Sequence, residues 1–478
     1  MSQLEFINKI VEEKKALILD VSAKIWEYAE LPYEEFKSAK LLSQVLEQEG
    51  FTVEMGVAQI PTAFTASFGQ GKPVMGFLGE YDALDALSQV AGNIEKQPIE
   101  AGRPGHGCGH NALGAGSLGA ALAVKEYLKA DQLPGTVIYY GCAAEEGAGA
   151  KQFMARAGLF DQVDFVYTWH PADKNEVQST RSVAIMGANF RFKGVSAHAG
   201  SSPHLGRSAL DAAELMSVGV NYLREHMPDQ ARIHYAYSDV GGVSPNVVQD
   251  RSVVKYEVRS PKVSQMKELF QRVVKVAEGA AMMTETTVEF EITMAFSDYI
   301  ANAPLAEIAD EALQEVGPPQ WSEEDYKLAK EYMGTFNQAT RVAMRESIVE
   351  VYGEDKAEAI LERPLDSTIH RFDPKNIKYV SGSTDVGDVA YAVPTINFNV
   401  ATAFIGNVGH TWQMTSQSGS DLAKKGLITA AKVMALAAIK TMKRPDVVQK
   451  AKEFTLKQNG GAYQCPLPDY VKPPIGTY

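Results

Sequence analysis

One pattern constrains this chain more than any other. Short apolar runs rich in β-formers, at residues 74–78, 136–140 and 165–168, alternate with longer Ala/Gly-rich helical stretches at 112–128 and 148–157. Repeated strand and helix bury a sheet on both faces, and ligands then gather beyond the carboxyl ends of the strands. The expected fold class is α/β, with a mixed, largely parallel sheet flanked by helices. Residues 5–50 read as an amphipathic helical start. Strand character returns at 377–380 and 395–399, and an amphipathic helix at 421–442 closes the unit.

A second pattern interrupts the first. From Gly187 the order is a strand at 188–192, a helix at 208–224, strands at 232–238 and 252–260, a helix at 264–281 and a strand at 287–295. That β-α-β-β-α-β order is the split βαβ arrangement of a ferredoxin-like α+β module. The expected division is therefore 1–186 and 302–478 for one domain, with 187–301 inserted as a second. Residues 302–362 read as acidic and helical, and 361–373, flanked by prolines, as loop.

Composition narrows the partners. A formal net charge of -13 over 478 residues, with 22% charged residues, gives no field to attract phosphate, so nucleic acid and anionic membranes are excluded as general ligands. Three cysteines, Cys108, Cys142 and Cys465, are too few for a disulfide framework and suit a reducing compartment. The N-terminus lacks the basic head and apolar run of a signal peptide, and no apolar run reaches the roughly 18 residues of a membrane span. A cytoplasmic location is expected.

The chemistry-bearing residues cluster after the strands. Cys108-Gly109-His110 supplies a thiolate and an imidazole, with a glycine that lets both aim at one point. Alone it reads equally as a buried cysteine beside a core histidine. Glu145-Glu146 follows the 136–140 strand; one carboxylate can bind metal while the other serves as general base, although such pairs commonly occupy solvated helix starts. His170, in Trp169-His170-Pro171, and His410, in Gly409-His410-Thr411, each follow a strand, and either alone would pass for a satisfied polar residue. Coincidence changes this: Cys108, His110, Glu146, His170 and His410 are ligand types at one sheet edge, as a two-metal hydrolytic site requires. Asp82 can hold the free ring nitrogen of a ligand histidine, or else cap a helix. In the inserted module His198, His204, Asn246 and Arg259 are suited to polarising a carbonyl and clamping a carboxylate.

At these residues the chain resembles the M20 metallopeptidase family, in the branch of N-acyl-amino-acid and auxin-conjugate amidohydrolases. The resemblance rests on an ordered set running from Gly79-Glu80-Tyr81-Asp82-Ala83-Leu84 through His106 to Asn111, Ala144-Glu145-Glu146-Gly147, Trp169-His170-Pro171, Ser196 to Gly200 and Gly382 to Asp388, ending at Gly409 to Trp412. It implies two divalent ions, Mn²⁺ or Zn²⁺, held by Cys108, His110, Glu146, His170 and His410, with Glu145 as base and Asp82 behind the ligands. It implies a lid domain that mediates dimerisation, with His198 reaching the partner subunit's site and Asn246 and Arg259 on the substrate carboxylate. The implied reaction is hydrolysis of N-acyl or N-aroyl amino acids, p-aminobenzoyl-glutamate-like compounds or dipeptides, by a homodimer or a heterodimer of related subunits. Asn111 stands where many relatives carry Asp, and Asp85 where they carry Pro. Two other classes compete: a deaminase-like zinc enzyme, whose Pro-Cys-x-x-Cys element is missing here, and a non-catalytic metal-binding subunit of a hetero-oligomer.

Overall fold

Ser2 starts the first helix by a capping box: its hydroxyl accepts the Glu5 N–H and the Glu5 carboxylate accepts the Ser2 N–H. The computed structural model describes residues 1–177, 180–375, 377–380 and 382–476. The helical start is two helices, α1 (Gln3–Tyr28) and α2 (Phe36–Gln48). Strands β1 (Thr52–Met55), β2 (Phe64–Gln70) and β3 (Val74–Glu80) lead to α3 (His110–Ala130), β4 (Gly135–Cys142), the short α4 (Lys151–Arg156), β5 (Phe165–Ala172), β6 (Glu176–Val177) and β7 (Thr180–Arg181). The inserted module comprises β8 (Ala184–Lys193), α5 (Ala209–Leu223), β9 (Arg232–Asp239), β10 (Arg251–Ser260), α6 (Val263–Met283) and β11 (Thr287–Phe296). The chain then returns through α7 (Ala303–Val316), α8 (Glu323–Gly334), α9 (Gln338–Tyr352), α10 (Glu354–Glu362), β12 (Lys378–Tyr379), α11 (Val386–Ala392), β13 (Thr395–Ala401), α12 (Trp412–Ser418), α13 (Asp421–Met442) and α14 (Pro445–Asn459).

The main sheet has the order β1-β2-β4-β3-β5-β13-β6. Its centre, β4-β3-β5-β13, is parallel, as the alternation predicts, while β1, β2 and β6 join antiparallel and make the sheet mixed. The expected strand at 377–380 lies outside this sheet: among the described residues β12 pairs with β7 in a small ribbon. The second sheet has the order β11-β8-β10-β9, all antiparallel, with α5 and α6 packed together against it, which is the ferredoxin-like arrangement.

Helix α3 is buried from His110 to Val124 between α1 and α13. Small residues permit this. A side chain at Gly114 would meet the Glu80 carbonyl at 2.6 Å, so glycine lets the first turn of α3 close on the end of β3. Each buried leucine-sized side chain here contributes about 1.5–3 kcal/mol. The helical segment α8–α10, difficult to place from sequence, packs Tyr332, Met333, Met344 and Ile348 against Phe404, Ile405 and Leu422. It thus buttresses the loop that runs from β13 to His410. Among the described residues no helix is long and apolar enough to cross a membrane.

Candidate metal centre

Parallel strands β3, β4, β5 and β13 end together, and each delivers a functional group to one cavity of about 360 Å³ lined by Glu80, Cys108, Glu145, Glu146, His170 and His410. Asp82 follows β3; no helix begins there, so its capping alternative falls away. His110 is the first residue of α3, and Gly109 takes a left-handed φ of 82° to turn Cys108 and His110 inward. Glu145 and Glu146 sit in a turn two residues past β4, entered through Ala144 at a φ of 59°. His170 lies within β5 rather than beyond it, because the strand runs on to Ala172. His410 holds a φ of 56° and donates its backbone N–H to the Gly107 carbonyl.

The two inner histidines are oriented alike. His110 Nδ1 lies 2.8 Å from Asp82 Oδ1, and His170 Nδ1 lies 2.7 Å from the Pro171 carbonyl. In a neutral ring, a nitrogen donating to an oxygen leaves the lone pair on Nε2, which in His170 faces Cys108 Sγ and in His110 faces the carboxylates of Glu80 and Glu146. His110 Nε2 is fully buried with no hydrogen-bond partner among the described residues, as is Glu146 Oε1. Burial pushes the Cys108 thiol far above its ordinary value, and burial, Glu80 and Glu146 push Glu145 up. Burial raises Glu146 too, against the opposing pull of His110. A cation would reverse these penalties at once.

The donors fit such a cation. Cys108, His110 and His170 form one group, and Cys108, Glu146 and His410 another, with the ligating atoms of each group within 4.8 Å of one another. Cys108 Sγ stands 3.5 Å from His170 Nε2, and Glu146 Oε1 stands 3.4 Å from His410 Nε2. Two donors about 2.0–2.3 Å from one tetrahedral ion lie about 3.3–3.7 Å apart, so these are separations a shared ion needs. Sulfur, imidazole and carboxylate together suit a borderline-soft divalent metal.

Of the four residues singled out in the inserted module, one reaches this cavity and three stand away from it. Arg259 reaches the cavity wall, its Nη1 donating to Ser383 Oγ at 3.3 Å. His198, His204 and Asn246 are exposed and do not line the cavity. His198 Nδ1 accepts the N–H groups of Gly200 and Ser201 at 3.1 Å each, which puts the proton of the neutral ring on Nε2. Asn111 orients no ligand: its amide donates to Ser22 Oγ and the Ser418 carbonyl, tying α3 to α1 and α12. The sequence gives no role to Glu80, Lys151 or Asp385, which form a buried ionic cluster beside the candidate ligands. The signal is present in Lys151, a charge inside the apolar stretch from Ala148 to Met154.

A doubly wound catalytic unit, an α+β lid and a sulfur, nitrogen and carboxylate donor set around a cavity define a divalent-metal-dependent hydrolase of amide bonds. The model of peptidase family M20/M25/M40 matches residues 76–359, and a p-aminobenzoyl-glutamate hydrolase subunit of Escherichia coli (strain K12) is 42% identical, with 98% of each chain covered. The chain belongs to peptidase family M20/M25/M40. A Xaa-Arg dipeptidase of Mus musculus is 29% identical over 95% of this chain and 91% of its own. In fold the chain resembles the crystal structure of the Bacillus subtilis YXEP protein, a dinuclear metal binding peptidase from the M20 family. That likeness has a TM-score of 0.58 at 16% identity and covers 90% of this chain and 99% of that one.

Proposed function

We propose that this chain hydrolyses the amide bond of N-acyl or N-aroyl amino acids, p-aminobenzoyl-glutamate among them, with Glu145 as general base. The observation that carries this reading is the place of Cys108, common to both donor groups in one cavity with Glu145. Cys108, His110 and His170 would hold one ion and Cys108, Glu146 and His410 the other, with Mn²⁺ or Zn²⁺ as the metals. When bound, the ions supply Lewis acidity and bring the ionisation of a water toward neutral pH.

The chain's own groups do the rest. Glu145 takes the proton of the attacking water and passes it to the departing amine. Asp82 fixes the tautomer of His110. Arg259, beside Ser383, receives the substrate carboxylate at the cavity wall. His198 faces solvent with Nε2–H free to donate, which suits an oxyanion in the site of a second copy rather than its own. Residues 1–186 and 302–478 then form the catalytic domain and 187–301 the lid through which a cytoplasmic homodimer assembles, with Asn246 and His204, like His198, offered to the substrate in the site of the second copy.

A second reading, a partner-dependent member of a hetero-oligomer, is favoured by the Escherichia coli relative being named as one subunit of a hydrolase whose other subunit is also similar to this chain, at 25% identity over 60% of it. The test is hydrolysis by the chain purified alone, stripped of metal and resupplied with Mn²⁺ or Zn²⁺, against p-aminobenzoyl-glutamate, N-acyl amino acids and dipeptides. Metal-restored turnover of an N-acyl or N-aroyl amino acid is expected. Turnover only after a related subunit is added would select the second reading, and none in either case would sink both.

A further inference from the structure

Glu80 ends β3 and is 2% exposed, a carboxylate that must be paired to be tolerated. Its Oε1 lies 2.7 Å from Lys151 Nζ. Lys151 is fully buried and also reaches Asp385 Oδ1 at 2.5 Å, while Asp385 Oδ2 accepts the N–H groups of Ala150 and Lys151 at 3.0 Å each. One side of Glu80 is thereby fixed, and the other, Oε2, faces His110 Nε2 at 3.4 Å.

That contact is not a hydrogen bond. His110 already spends its Nδ1 on Asp82, and a charge-assisted bond from Nε2 would close to about 2.7–2.9 Å. With the neutral ring that a metal ligand requires, two lone pairs converge on one point and call for a cation between them. The separation instead equals that of Glu146 Oε1 from His410 Nε2, the edge expected between two donors on one ion. Glu80, His110 and Glu145 also form a third group of ligating atoms within 4.8 Å.

We propose that Glu80 is a sixth ligand of the centre, on the ion held by His110, and that Lys151 is a positioning residue that turns Glu80 toward it. The inference rests on the two-metal reading given under Proposed function. It assigns a purpose to a buried lysine that reaches none of the candidate ligands directly: Lys151 occupies one carboxylate oxygen so that the other stays aimed at the metal.

The experiment measures metal, not turnover. Full-length wild type and Glu80→Gln are stripped, reloaded with Mn²⁺ or Zn²⁺, and assayed for ions per chain by elemental analysis and for affinity by competition with a chromogenic chelator. Two ions in wild type are expected, with one of the two sites weakened about tenfold or more in Glu80→Gln. Equal content and affinity in both proteins would overturn the proposal. A wild type that holds no divalent ion would sink the two-metal reading itself, which keeps the two failures apart. Should Glu80→Gln lose its circular dichroism, Glu80→Asp, which keeps the charge but shortens its reach, is expected to fold and to weaken the same site, and unchanged affinity there overturns the proposal. Lys151→Met combined with Asp385→Asn, which strands no charge on Asp385, is expected to weaken that site as well; undiminished affinity would remove Lys151 from its positioning role.

Discussion

Asp82 accepts two hydrogen bonds at 2.8 Å, from Nδ1 of His110 through Oδ1 and from the backbone N–H of Glu146 through Oδ2. One buried carboxylate thus orients one candidate ligand by its ring and another by its backbone.

Asp82→Asn supplies only one accepting oxygen for two donors, so either the His110 ring or the Glu146 turn must give way. Metal affinity is expected to fall about 10–100-fold with the fold retained. Chelator competition measures it, and wild-type affinity would show that Asp82 orients neither ligand.

Glu145→Gln keeps size and polarity but cannot take a proton. Turnover number is expected to drop about 10²–10⁴-fold while metal content stays at the wild-type level. Steady-state kinetics beside elemental analysis check both halves, and full activity would remove Glu145 as the base.

Lys151→Met alone leaves Glu80 and Asp385 facing each other with no cation between them. Breaking a buried pair from one side costs about 3–5 kcal/mol, so the urea midpoint of the metal-free protein should fall clearly. A midpoint within error of wild type would mean the cluster is not ionic.

His370 offers a pH test away from the candidate metal centre. Its Nε2 lies 3.0 Å from Asp366 Oδ2 and 3.4 Å from the Tyr352 hydroxyl, with Glu176 and Lys174 also facing it. The Asp366 hydrogen bond outweighs burial and raises the imidazole above its ordinary value. A raised folded value stabilises the protein fully below the unfolded value of about 6.5, and that gain is lost as pH climbs through the folded value. The stability difference between wild type and His370→Gln should therefore be larger at about pH 6 than at about pH 9. Urea titrations at both values decide it, and equal differences would rule the pair out.

Much of this molecule is legible locally. Every element of the inserted module lies within a few residues of its sequence expectation, because apolar spacing and turn residues act over short stretches. The central parallel strands are equally clear. Less legible are the antiparallel strands β1 and β2 at one side of the sheet, and helix α14, whose polar faces dilute any periodic signal. At the site, the ligand types and their order stand in the sequence, and the ordered set suffices to name a family.

What the chain does not declare in one dimension is which donors share an ion. Cys108 joins both groups only because β5 brings His170 beside it, and because the loop after β13 sets His410 opposite Glu146. Glu80, Lys151 and Asp385 are distant in sequence and meet only when β3, the start of α4 and the turn before α11 converge. Local sequence determined the elements, the motifs and the chemical types. Tertiary packing decided their partners, since burial, lone-pair direction and the pairing of charges depend on chain segments that periodicity does not relate.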